Sequence, residues 1–170
     1  MKMPRRSRSD RRRWLAPLLL CGLGALAMAA VRADGDAAPA APAAVILGNW
    51  VTQPRDGIIQ ISMTPDGAYQ GRVIGGSNPH RLDQMNPDPS RRRLELLGEV
   101  IMRNMRYQGQ QRWSGGTIYD PANGRTYQCQ LQLQDAQHLQ VRGFLGITLL
   151  GRSQLWTRYA GTSMLLPRLR

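Results

Sequence analysis

The chain has 170 residues, 42% of them apolar and 20% charged, with 18 Gly, 11 Pro and a single Phe. That composition suits one compact domain rather than two, and excludes a disordered polymer. The formal charge of +12 overstates any affinity for nucleic acid, because seven basic residues (Lys2, Arg5, Arg6, Arg8, Arg11, Arg12 and Arg13) precede residue 14, and losing them together with Asp10 halves it.

Residues 1–13 form a positive n-region, residues 14–27 an apolar stretch, and Ala27-Met28-Ala29 the small-x-small step that a signal peptidase cuts. The sequence predicts a signal peptide over 1–29, cleavage after Ala29 and a periplasmic location. The apolar run is shorter than the ~20 residues of a membrane span and is diluted by Gly22 and Gly24, so no transmembrane span is expected after cleavage. Leu20 is bulky where a lipidation site before Cys21 wants a small side chain. The run Asp10-Arg11-Arg12-Arg13-Trp14-Leu15 resembles a twin-arginine signal with Asp10 in place of Ser or Thr, which leaves the export route open. Cleavage would leave Cys129 as the one cysteine, so an internal disulfide is impossible.

Residues 30–44 read as an Ala/Pro-rich linker, since Pro39 and Pro42 block a continuous helix and nothing there can bury a core. From Val45 to Tyr159 the pattern changes to short apolar alternations between turn residues, the mark of an antiparallel all-β domain. A first strand surrounds Gly48-Asn49-Trp50, and others are predicted at 58–63 and 69–74, joined through Pro65-Asp66-Gly67. Residues 75–93, rich in Pro, Asn and Asp, are too many for a hairpin and should leave the sheet. Residues 94–105 have near-helical apolar spacing, but Gly98 weakens a helix and a strand beginning near Val100 is preferred. Further strands follow at 113–119, 127–134, 138–144 and 153–158. The clearest is 127–134, where Tyr127, Cys129, Leu131 and Leu133 alternate with four Gln, so one face is apolar and the other hydrated. Pro121-Ala122-Asn123-Gly124 and Asp135-Ala136-Gln137 suit tight connections. Residues 160–170 are expected to be a flexible tail.

A series of short antiparallel strands buries one face and loses its edges by closing into a barrel, here a small lipocalin-like (calycin-like) β-barrel over 45–159, with an open β-sandwich as the competing fold. Gly48-Asn49-Trp50 early and Trp156-Thr157-Arg158 late resemble the lipocalin pattern, in which the early Trp packs beside the late Arg at the closed end. Trp50 and Arg158 are therefore the expected closure pair, an indole plug with a guanidinium on its face.

Longer stretches resemble the bacterial family catalogued as domain of unknown function 2147. They are Leu82-Asp83-Gln84-Met85-Asn86-Pro87-Asp88-Pro89 with Arg92 and Gly98 downstream, Trp113 through Pro121 continuing to Gly124 and Thr126-Tyr127, and Leu139 to Gly146 with Gln154 to Arg158. Leu94-Glu95 stands where relatives often carry Arg-Pro, and Gln70 and Phe144 where some carry cysteines. The resemblance implies an envelope location and a lipocalin-like barrel, with no established activity.

His80 and His138 lie far apart in the sequence and Cys129 sits within clean β-alternation, so neither a metal nor a cofactor is expected. Trp113 and Tyr119 share strand parity and Tyr127 lies on the next strand, so the three could line a cavity or simply pack the core. Asp83, Asn86 and Arg92 are the other ligand-binding candidates. The run Arg91-Arg92-Arg93 suits anionic groups, although a solvated loop is the plainer reading. Export and the absence of interleaved aromatic and basic residues argue against nucleic acid. The leading expectation is a non-enzymatic carrier of a small amphipathic or apolar ligand, or a binder of an envelope component such as anionic lipid. The alternative is an envelope hydrolase using Asp83 and Asp120 on glycan or lipid, and a structural partner-binding module is a third reading.

Overall fold

The computed structural model describes residues 42–53 and 55–166, so the predicted signal peptide and most of the linker lie outside the described residues. Eight antiparallel strands close in sequence order into a barrel: β1 (Gly48–Val51), β2 (Gly57–Met63), β3 (Tyr69–Gly76), β4 (Val100–Tyr107), β5 (Arg112–Asp120), β6 (Arg125–Leu133), β7 (His138–Phe144) and β8 (Arg152–Arg158). This is the barrel that the alternation predicts, and pairing of β1 with β8 excludes the open sandwich. That closing seam is short. Only Trp50↔Arg158 and Val51↔Thr157 pair across it, and beyond them the Gln53 side-chain oxygen accepts from the Leu155 amide at 3.0 Å.

On β6 Gln128, Gln130 and Gln132 face outward while Cys129, Leu131 and Leu133 enter the core with Trp50, Trp113 and Trp156, all three of whose indoles are fully buried. Burial pushes the Cys129 thiol up to about 12, so it stays protonated and serves as a small apolar filler. Trp113 lies between Tyr107, tilted against it at 5.1 Å, and Tyr69, edge-on at 6.1 Å.

One parity prediction fails. Across β5 and β6, Trp113 faces Leu131 but Gly116 faces Cys129, so three steps on β5 match two on β6. A bulge at Ser114-Gly115, with Gly115 at φ +81°, consumes the extra residue and reverses every later side chain. Trp113 therefore points inward with Ile118, whereas Tyr119 lies on the other face of the strand from Trp113. β4 bends at the same level, where Asn104 adopts φ +59°.

The closed end follows the expected pairing of Trp50 with Arg158. The guanidinium carbon lies 4.2 Å from the Trp50 ring centre. Its three nitrogens donate to the carbonyls of Ala136, Leu47 and Val45 at 2.8, 3.0 and 2.6 Å, and the Trp50 indole donates to the Ile46 carbonyl at 2.9 Å. One side chain thus ties the entry to β1, the β6–β7 turn and β8 together. Arg158→Ala should lower stability by about 2–4 kcal/mol in urea unfolding, and Arg158→Lys should recover little, because an ammonium cannot supply a planar fork of three directed donors.

The chain beyond β8 departs from the predicted flexible tail. Residues 160–166 run back to β3, where the Gly76 amide donates to the Met164 carbonyl and Leu165 bridges Gly76. Leu166, 2% exposed, packs with Val51 and Ile58 in a second apolar cluster on the outside of the sheet. Burying a leucine in this way outweighs the ordering of so short a segment.

Candidate functional site

In an up-and-down barrel alternate connections leave from the same end. The β1–β2, β3–β4, β5–β6 and β7–β8 connections therefore share the rim opposite the Trp50–Arg158 plug. Below this rim the inward-facing Val73, Ile118 and Tyr127 are only half-buried, while the residues deeper down are closed off. Gly143 on β7 leaves a notch beside them. A Cβ there would stand 3.4 Å from the Tyr127 Cβ and 3.7 Å from the Ile118 Cγ2, ordinary contact distances. Across the β7–β8 ladder Gly143 faces Arg152, and the exposed Gln154 accepts from the Trp156 indole at 3.0 Å. The rim thus presents half-buried apolar side chains facing inward, with the amide of Gln154 and the guanidinium of Arg152 on the adjoining strand.

The excursion predicted at 75–93 is the β3–β4 connection, residues 77–99, and folds over the outside of β5. The Asp83 carboxylate is 3% exposed and takes the Tyr119 hydroxyl on Oδ1 and the Asn86 amide on Oδ2, each at 2.6 Å. The Asn86 carbonyl in turn accepts from Arg92 Nε at 2.8 Å, and the Asn86 side-chain oxygen accepts from the Asp88 amide at 2.9 Å. Asp88 caps the 3-10 turn Pro89–Arg91 through Ser90. The Ser90 hydroxyl and amide both donate to Asp88 Oδ1, at 2.7 and 2.9 Å, and ahead of the Arg91 and Arg92 charges hold that carboxyl below its usual range. Burial, then the hydrogen bond to Asp83 and its charge, raise the Tyr119 pKa and keep that phenol a donor. The Met85 carbonyl lies against Gly124, where any Cβ would stand 1.9 Å away. That contact explains a glycine in the β5–β6 turn.

Four of the six predicted ligand-binding candidates, Asp83, Asn86, Arg92 and Tyr119, therefore meet, and they meet as a clasp that pins the loop to the barrel. Both carboxylate oxygens are occupied away from solvent, which suits anchoring better than proton transfer. Tyr127 stands apart at the rim, its hydroxyl accepting from Asn123 at 2.9 Å, and Trp113 lies deeper in the core. Asp120 caps its turn through the Ala122 amide and the Asn123 side chain. The arginine run does not converge on one point: Arg91 pairs with Glu99 at 2.5 Å while Arg92 serves the clasp. Val73, Ile118 and Gly143 were not legible as rim residues, because the bulge that turns Ile118 inward falls in a Ser-Gly-Gly stretch without apolar contrast.

A closed eight-stranded antiparallel barrel, plugged at one end by an indole and an arginine, is a lipocalin-like fold. Residues 48–158 match the family described as an uncharacterized protein conserved in bacteria, DUF2147, and the chain belongs to that family. Among solved structures it is similar to a Helicobacter pylori protein described as belonging to the lipocalin family, with 19% identity over 67% of this chain and 82% of the other and a TM-score of 0.61, a likeness of fold. No curated protein matches the chain by sequence.

Proposed function

We propose that this protein is an exported, periplasmic barrel that binds a small amphipathic ligand at its open rim. The apolar part of the ligand lies over Ile118, Tyr127 and Val73 in the Gly143 notch, and its polar end reaches Gln154 and Arg152. The observation that carries this reading is the set of half-buried apolar side chains facing inward at the end opposite the plug. Three fully buried indoles fill the interior below, so the ligand sits at the mouth rather than deep in the barrel. The n-region, apolar stretch and Ala27-Met28-Ala29 step support export. The hydrolase reading is weaker, since Asp83 is buried with both oxygens engaged.

The test is native mass spectrometry of protein taken from the envelope, together with titration of the fluorescent amphiphile 1-anilinonaphthalene-8-sulfonate. Gly143→Leu should fill the notch and weaken probe binding at least about tenfold, or ~1.4 kcal/mol, with an unchanged circular dichroism spectrum. Tyr127→Ala should weaken it as well. A wild-type protein that carries nothing and binds no probe, or a Gly143→Leu variant that binds as tightly, overturns the reading. So does fractionation that finds the uncleaved chain in the cytosol.

A further inference from the structure

The β7–β8 connection does what soluble surfaces avoid. Leu145, Ile147, Leu149 and Leu150 are 53, 61, 85 and 77% exposed, four large apolar side chains within six residues. Its base, by contrast, is fixed. Phe144 is buried, and Arg142 donates to the Ser153 hydroxyl at 2.9 Å and to the Leu149 carbonyl at 3.4 Å. Gly151 fits so closely that a Cβ would stand 2.7 Å from the Gly143 carbonyl. The result is an apolar tip on a held base, projecting from the open rim.

Within the loop and at its two ends the charge has one sign. No charged residue occurs from Gly143 to Gly151, and arginines flank the stretch at 142 and 152. Arg125 opens β6, the strand paired with β7, at the same rim and opposite Asp120 on β5. Apolar side chains flanked by guanidinium groups match the boundary layer of an anionic bilayer, where acyl chains lie beneath negative headgroups and two modest attractions add. An acidic protein partner would match the arginines but not a protruding apolar tip with no groove to receive it, and a second copy would bring the same arginines face to face.

We infer that the β7–β8 loop docks the open rim of the barrel on an anionic lipid surface, with Leu149 and Leu150 entering the headgroup boundary and Arg125 and Arg152 meeting phosphates. This goes beyond the proposed ligand binding and stands whether or not the rim holds a ligand. It also sets the mouth against the source of an amphipathic molecule.

The test uses the unit from Ala37 to Arg170, which contains every strand and the whole described core. It is sedimented with vesicles of phosphatidylglycerol and phosphatidylethanolamine, and with vesicles of phosphatidylcholine alone. Binding to the anionic vesicles is expected to exceed that to the neutral ones and to weaken with salt. Leu149→Asp with Leu150→Asp should weaken it at least about tenfold, as should Ile147→Asp, while Arg125→Glu with Arg152→Glu should abolish the preference for anionic vesicles. The aspartate variants at 147, 149 and 150 should still bind the fluorescent amphiphile, which separates failure of this inference from failure of the ligand reading. Wild-type protein that ignores both vesicle types, aspartate variants that bind as wild type, or velocity sedimentation showing dimers that the aspartate variants lose without any vesicle binding would each overturn it.

Discussion

Gly116→Ala is expected to abolish the folded barrel. A Cβ at that position would stand 2.1 Å from the Arg103 carbonyl oxygen, 2.6 Å from the Met105 sulfur and 2.8 Å from the Asn104 carbonyl carbon. Two of these are backbone atoms of the neighbouring strand, so no rotamer change relieves the clash and β4 must move away from β5. Met105 and Trp113 are both fully buried beside that contact, and separating the strands opens the core. The cost should exceed ~4 kcal/mol, a large part of the ~5–15 kcal/mol that holds a domain of this size. Gly115→Ala supplies the comparison. Its φ of +81° disfavours a side chain, but nothing lies within 4 Å, so only backbone strain of about 1–2 kcal/mol is expected. Urea unfolding followed by tryptophan fluorescence checks both. A Gly116→Ala protein within ~1 kcal/mol of the parent would refute the close approach of the two strands.

Asp83→Ala is the second large effect. It leaves the Tyr119 hydroxyl and the Asn86 amide without their acceptor in a site closed to water, at ~1–3 kcal/mol for each stranded donor. The sum, about 2–6 kcal/mol, should appear as lower stability and as proteolysis within residues 77–99. Tyr119→Phe removes one donor and leaves the carboxylate its second partner, so a smaller loss of about 1–2 kcal/mol is expected. In Asp83→Asn one oxygen becomes an amide nitrogen facing a donor, which places that variant between the other two. Unchanged stability and protease resistance in Asp83→Ala would remove the clasp as an anchor. Full stability with lost turnover on an envelope substrate would instead revive the hydrolase.

What the sequence makes legible follows from where side chains contrast. On β6 every second residue is Gln, so facing and burial are written into the residue types. Trp50 and Arg158 are legible as a pair because few chemistries cap a barrel end. The excursion at 77–99 is legible from its length and its Pro, Asn and Asp content, but those same residue types read as ordinary turn formers, which hides the burial of Asp83. Tyr119 is misplaced for a different reason. The bulge falls where Ser114, Gly115, Gly116 and Thr117 offer no apolar contrast, so a count by twos runs through it unnoticed. Leu145 to Leu150 is the converse case, since apolar residues are normally expected inside and only the coordinates reveal four of them in solvent.

The brief join between β1 and β8 has a mechanical corollary. Neighbouring pairs such as β6 with β7 are laced along six residue pairs, while this one is held by two, the Tyr159 amide on the Asn49 carbonyl, a borrowed Gln53 side chain and the Arg158 fork. A cylinder so fastened breathes along one line, and its amides trade hydrogen with solvent soonest around Leu155. Because that line joins the first strand to the last, the ring forms only once the whole ribbon exists, and the final act of folding is to latch it.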